Sequence, residues 1–325
     1  MKNIFITGGA GYVGSVLTPQ LLSKNYNVTI YDLFLYGNTI KEHKNLKIIK
    51  GDLRNENLLK KSLQNQDQVI HLACISNDPS FELNPKLGKE INLDAFEPLA
   101  SHSKDLGVKR FVYASSSSVY GIKKEKNVSE DMSLEPLTDY SKFKANCEEI
   151  LFKYKSDNFV TSVIRPATVC GYSPRQRLDL VVNILTNLAY HKRLITVFGG
   201  DQLRPNIHID DMVDAYLLLL KSPDNKIAGK IFNAGYENFS VEKLSKDVKD
   251  VIGDDVSLIY KKTEDNRSYH ISSEKIKSEL GFIPKKNIKD AVRDLQNAFK
   301  NKFLQNTLDN EFYFNIKRMK NLNLK

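Results

Sequence analysis

Three glycines, Gly8, Gly11 and Gly14, stand in a Gly-x-x-Gly-x-x-Gly frame directly after an apolar run at Asn3–Thr7 and at the opening of a helix-like stretch, Val13–Lys24. A strand that turns through glycines into a helix is a phosphate-binding unit. Gly8 permits the tight turn, Gly11 lets backbone approach a pyrophosphate, and Gly14 lets helix and strand pack closely, with the helix N-terminus facing the anion. Tyr12 and Val13, inside the frame, belong to the same expected contact. Asp32 ends the second strand 18 residues after Gly14, where a carboxylate can accept from a ribose hydroxyl. An acid at that point also repels a 2′-phosphate, so the expected dinucleotide is NAD in preference to NADP. The alternative is a plain turn with a capping Asp.

Short apolar runs recur at Val28–Tyr31, Leu46–Ile49, Gln68–Leu72, Arg110–Ala114 and Val160–Ile164, continuous where an exposed strand would alternate. Helical spacing separates them, at Val13–Lys24, Asn57–Gln64, Ile91–Leu106 and Tyr140–Tyr154. The expected fold is therefore α/β: a doubly wound parallel Rossmann sheet with a smaller C-terminal α/β substrate-binding domain. Residues 1–170 would form the dinucleotide-binding domain, with some later segments returning to it, and residues 171–325 mainly the substrate domain. After Pro166 the alternation loses regularity, with helices expected at Leu180–Tyr190, Asp210–Leu220, Val241–Val251 and Ile288–Lys300 and a Gly199–Gly200 turn. The last ~20 residues are dense in Asn and Lys and are expected to be loosely held.

Composition closes off other classes. With 325 residues and 41% hydrophobic content the chain can bury a core without metal or disulfide help. The 48 Lys+Arg against 39 Asp+Glu give a net charge of +9, but the lysines spread along the whole chain, so no nucleic-acid partner is expected. A positive field would still draw in a nucleotide diphosphate. No apolar run approaches the ~20 residues of a membrane span. A strand-like run beginning at Lys2 leaves no room for a secretory leader, and the expected location is the cytoplasm. Three widely spaced cysteines, Cys74, Cys147 and Cys170, fit reduced thiols, and six scattered histidines point to no metal site.

Tyr140 and Lys144 are four apart on an expected helix, so they share a face. A free Tyr with a pKa near 10 becomes a base at neutral pH only if a neighbouring cation, such as the Lys144 ammonium, lowers it by ~3 units. The serine run Ser115–Ser118 ends the fifth strand, on the side where an open parallel sheet forms its ligand crevice, so Ser116 can bridge a substrate oxygen and Tyr140. Asp52, in Gly51-Asp52-Leu53, would sit over an adenine pocket or else cap the helix that follows.

Taken together the chain resembles the extended short-chain dehydrogenase/reductase family, in its NAD-dependent nucleotide-sugar epimerase/dehydratase branch. The resemblance rests on the glycine frame, Asp32, Gly51-Asp52-Leu53, His71-Leu72-Ala73, the serine run with Val119-Tyr120-Gly121, Tyr140 and Lys144, and Arg165-Pro166. In the second half it continues with Arg204 before Asn206–Asp211, Asn233-Ala234-Gly235, Arg267, and Leu280-Gly281-Phe282-x-Pro284. It implies a catalytic trio of Ser116, Tyr140 and Lys144, and an NAD site that includes Leu53, Leu72, Ala73 and Pro166. Tyr140 would remove a sugar hydroxyl proton while hydride passes to NAD, leaving a 4-keto nucleotide sugar.

Arg204 and Arg267 would grip the pyrophosphate of a nucleotide-diphosphate sugar, with Ser76, Ser116, Ser117 and Arg177 as further substrate contacts; either arginine could instead be a surface ion-pair residue. Dehydrating relatives carry an acid two positions, and often also one, after the residue matching Ser116; this chain has Ser117 and Ser118 there. What remains is epimerisation by hydride return, most simply at C4, or net oxidation by a 4-dehydrogenase; a catalytically silent NAD-binding regulator is the rival from another class. The segments Gly171–Leu178 and Ile75–Pro79 depart from the hexose 4-epimerase pattern and resemble enzymes of capsule and lipopolysaccharide sugars, some acting on heptose nucleotides. The resemblance also implies a homodimer through the helices near Ile91–Leu106 and Tyr140–Tyr154.

Overall fold

The computed structural model describes residues 1–76, 78–125, 127–263, 268 and 270–322. Seven strands form one parallel sheet in the order β10-β6-β5-β4-β1-β2-β3. They are β1 (Asn3–Thr7), β2 (Asn27–Asp32), β3 (Leu46–Lys50), β4 (Gln68–His71), β5 (Arg110–Ala114), β6 (Val160–Pro166) and β10 (Lys230–Ala234). The central strands β4 and β5 are buried along their whole length, which is why they read as continuous apolar runs. The doubly wound sheet expected from the strand–helix alternation is present. Its order reverses between β1 and β4, and ligands of such sheets bind at that switch point, beyond the carboxyl ends of the strands.

The second half contributes to both layers. β10 pairs with β6, and the helix Ile209–Lys221 packs on the sheet, its Leu219 carbonyl accepting from Arg110 at 2.7 Å. A three-stranded sheet, β11-β9-β7, and a two-stranded one, β12-β8, stand apart. Their strands are β7 (Thr168–Cys170), β8 (Leu194–Phe198), β9 (Leu203–His208), β11 (Glu237–Ser240) and β12 (Ser257–Lys261). The helices Val181–Lys192, Val241–Ile252 and Ile288–Lys300 cover them with a separate apolar core that includes Leu185, Leu244 and Val292. No helix among the described residues is long and apolar enough to cross a membrane.

Two expectations need correction. The stretch Ile91–Leu106 is not one regular helix: a wide turn over Glu90–Asp94, in which Ala95 N–H donates to Glu90 C=O at 3.0 Å, precedes the helix Phe96–Asp105. As far as Leu322 the C-terminal segment is not loose. Asn315–Leu322 is a helix whose Met319 enters an apolar cluster with Ile75, Leu87 and Ile91. Arg318 Nε donates to the Leu35 carbonyl at 2.7 Å, so this helix spans the loops that follow β2 and β4.

Candidate active site

The loops at the carboxyl ends of β1, β2, β4, β5 and β6 surround a cavity of about 450 Å³. The glycine frame forms its floor. Gly8 has φ +72°, and a Cβ there would lie 2.6 Å from the Ala73 amide nitrogen. At Gly14 a Cβ would lie 2.5 Å from the Gly9 carbonyl oxygen, so the turn closes on itself only without a side chain. No side chain caps the helix Gly14–Ser23; Ser15 N–H turns back to the Gly11 carbonyl and Leu17 N–H to that of Val13, which leaves the Tyr12, Val13 and Gly14 amides, without a partner among the described residues, to face an anion. Asp32 accepts from Ala10 N–H at 3.0 Å and Phe34 N–H at 2.7 Å. Burial pushes its carboxyl above the ordinary value against the pull of those two bonds. Glycine turn, open amides and fixed carboxylate together fit the phosphates and ribose of a dinucleotide.

The helix Asp139–Tyr154 starts at Thr138, which accepts from Ser141 N–H in a reciprocal cap. The Thr138 hydroxyl donates in turn to the Asp78 carboxylate. This helix turns Ser141, Lys144, Cys147 and Glu148 inward. Lys144 is buried, and its Nζ donates to the Ala114 carbonyl at 2.7 Å, 5.9 Å from the centre of the Tyr140 ring. Burial pushes the Tyr140 phenol well above its ordinary value, and Cys74 and Asp78 push the same way. The Arg177 cation and a hydrogen bond with Ser116 pull it down. Ser116 Oγ also lies 2.9 Å from Ser118 Oγ.

Beneath the serine run a buried polar network ties helix to sheet. Ser115 Oγ donates to Glu148, which also receives Arg165 Nε at 3.0 Å. Arg165 then donates to the Tyr120 hydroxyl at 2.8 Å, and that hydroxyl donates to Asn233 Oδ1 at 2.7 Å. Arg165, Tyr120 and Asn233 thus support the site from below the cavity.

Of the residues singled out in the sequence, the cavity is lined by Gly8, Gly11, Tyr12, Val13, Gly14, Asp32, Leu53, Leu72, Ala73, Ser76, Ser116, Ser117, Tyr140, Lys144, Pro166, Arg177 and Arg204. Asp52 is not among them: Arg54 grips its carboxylate at 2.7 Å, and the following helix is capped by Asn55 instead. Arg267 lies outside the described residues. Arg177 donates to Asp179 at 2.9 Å and to Ser76 Oγ at 3.1 Å. Tyr36 and Asn315 also line the cavity, as do Cys74, expected only as a reduced thiol, and Asp78 and Arg175, expected only as members of the segments Ile75–Pro79 and Gly171–Leu178. Arg175 shares a short run with Arg177, which was a usable signal. Asn315 sits in a polar tail where Phe312, Ile316, Met319 and Leu322, three or four apart, are the one sign of a packed helix.

A cluster of His208, Asp210 and Asp294 lies elsewhere, in the second half of the chain. The Lys286 ammonium bridges its two carboxylates, at 2.7 and 3.1 Å, which makes the cluster an ion-pair network.

The model of the NAD dependent epimerase/dehydratase family matches residues 4–235. The chain is 32% identical over 307 residues to an uncharacterized UDP-glucose epimerase of Bacillus subtilis (strain 168), covering 89% of this chain and 95% of that one. It is 27% identical over 311 residues to a UDP-glucose 4-epimerase of Lactobacillus helveticus, covering 89% and 94%. Among solved structures, the UDP-glucose 4-epimerase of Thermotoga maritima with UDP-glucose superposes with a TM-score of 0.84 at 25% identity, covering 93% of this chain and 100% of that one.

Proposed function

The chain belongs to the NAD-dependent epimerase/dehydratase family, and from that premise we propose that it is a nucleotide-sugar epimerase working through a transient 4-keto sugar. The observation that carries this reading is the meeting of Ser116, Tyr140 and Lys144 with the glycine frame at one cavity. NAD, when bound, supplies reversible uptake of a hydride from the sugar carbon. Tyr140 takes the hydroxyl proton and later gives it back. Ser116 holds the sugar oxygen against Tyr140, and the Lys144 cation, fixed on the Ala114 carbonyl, favours the phenolate.

Epimerisation is favoured over loss of water by the side chains at hand. Ser117 and Ser118 stand where dehydrating relatives carry acids, and a serine hydroxyl is too weak an acid or base to expel water unaided. Among the described residues the lining carboxylates are Asp32, held by two backbone amides, and Asp78, engaged by Thr138. Ser76, Ser117, Arg177 and Arg204 face the same space as proposed contacts of the sugar nucleotide, Arg204 as a fork for its pyrophosphate. We place the enzyme in the cytoplasm, which suits its three free cysteines, and its product in cell-surface polysaccharide assembly, a role resting on the segments Ile75–Pro79 and Gly171–Leu178.

Proton NMR of the purified protein with UDP-, GDP-, CDP- and dTDP-linked hexoses and heptoses, without added cofactor, tests the proposal. A new anomeric signal at unchanged mass is the expected result. A keto sugar in no more than enzyme-equivalent amount would make it a 4-dehydrogenase instead, and silence in every sample would favour an NAD-binding regulator. Tyr140→Phe is expected to lower turnover by about 10²- to 10⁴-fold while leaving the cofactor in place.

A further inference from the structure

Arg175 is a buried cation that the rest of the protein leaves only partly served. It is 4% exposed and makes no ion pair among the described residues. One Nη donates to Asn315 Oδ1 at 2.7 Å, and the other reaches the Gln176 carbonyl only at 3.5 Å. Its Nε finds no partner among the described residues, although the guanidinium carbon stands over the Tyr36 ring, 3.9 Å from its centre. Burial and the charge of Arg177 pull its pKa down to about 10, against the pull of Tyr36, Asp179 and Asp32. A buried guanidinium in this state is costly until an anion pairs with it. Arg177 differs, because it is ion-paired with Asp179 at 2.9 Å.

The missing anion has a place. The Arg175 backbone N–H donates to Ser15 Oγ at 3.3 Å, and Ser15 is the residue after Gly14. Ser173 Oγ donates to the Tyr12 carbonyl at 2.7 Å, so the segment carrying Arg175 is fastened onto the glycine loop itself. Arg175 lines the same cavity as the open amides of that loop, and Asp32 is close enough to act on its charge. A group with two adjacent phosphates can engage the amides with one and the guanidinium with the other.

We propose that Arg175 clamps the pyrophosphate of the bound dinucleotide from the second-half side of the cavity, and that the C-terminal helix, through Asn315, aims it. The clamp rests on the NAD reading above and extends it. Asn315 fixes more than the guanidinium: its Nδ2 donates to Ser76 Oγ at 3.0 Å and its backbone N–H to Asp179 at 3.0 Å. One asparagine in the tail therefore joins the cofactor clamp to the residues beside the proposed sugar site.

The test strips the protein of nucleotide and titrates it calorimetrically with NAD, ADP, adenosine and UDP. Arg175→Gln is expected to weaken NAD and ADP by about 10- to 100-fold and adenosine by less than about twofold, since only the first two carry the pyrophosphate. Arg175→Lys should recover part of the loss. Asn315→Ala should reproduce the pattern at smaller amplitude, and it decides the matter if a thermal melt shows that Arg175→Gln does not fold. Unchanged NAD and ADP binding, an equal loss of adenosine, or a loss confined to UDP would each overturn the clamp. Wild-type protein that binds no NAD would overturn the cofactor reading beneath it, a result distinct from failure of the clamp alone.

Discussion

At the scale of single residues, the chemistry turns on how a buried phenol becomes a base. Burial, with Cys74 and Asp78, disfavours the Tyr140 phenolate, and the Arg177 cation and the Ser116 hydrogen bond work against them. The reaction needs the deprotonated form, so turnover should rise with pH through the ionisation of Tyr140. Because Arg177 lowers that ionisation, Arg177→Met should move the rising limb of the kcat/KM profile to higher pH. A limb that stays in place would assign Arg177 to substrate binding alone. Tyr140 and Lys144 were legible because helical spacing puts residues four apart on one face. The pull of Arg177 on Tyr140 was not, since it is a charge acting between residues 37 apart in the chain, which no local pattern encodes.

At the scale of elements, the site depends on a helix fixed to a strand end. The Glu148–Arg165 pair that does this is buried, 4% and 2% exposed, with Ser115 as a third member. Glu148→Gln leaves the Arg165 guanidinium buried without its anion and should cost about 3–5 kcal/mol, read from the urea midpoint. A loss under about 1 kcal/mol would mean that water or Tyr120 satisfies Arg165 unaided.

The first-half strands could be read from sequence because burial on both faces makes them continuous apolar runs. Three of the second half could not: β7 is three residues long, β9 carries Arg204-Pro205, and β10 begins with a lysine and holds an asparagine. Proline and charge argue locally against a strand, and here tertiary packing overrides them. The C-terminal helix was hidden for a related reason, since a polar sequence gives little sign of packing when only Asn315 and Met319 are buried.

At the scale of the whole molecule, the two halves meet around the cavity. Tyr12 of the glycine loop donates to the Gly171 carbonyl at 2.7 Å, and Ser15 lies 2.7 Å from Ser173. A cofactor held between them would be retained through turnover, as an epimerase that must return what it takes requires. We further propose a homodimer through the helices Phe96–Asp105 and Asp139–Tyr154, where Ile150, Phe152 and Tyr154 are only partly covered by the protomer's own core. Sedimentation at micromolar concentration should give twice the protomer mass, and a monomer mass would remove the dimer from the account.

The central claim is that the hydrogen taken from the sugar carbon returns to that same carbon without exchanging with water. The most direct measurement is the mass of the product formed in D₂O from the nucleotide sugar that the NMR panel identifies. The account predicts a product of unchanged mass once exchangeable hydroxyl deuterium is washed out. A product heavier by one carbon-bound deuterium would mean inversion through an enolate, and one lighter by a water would mean elimination; either would contradict it.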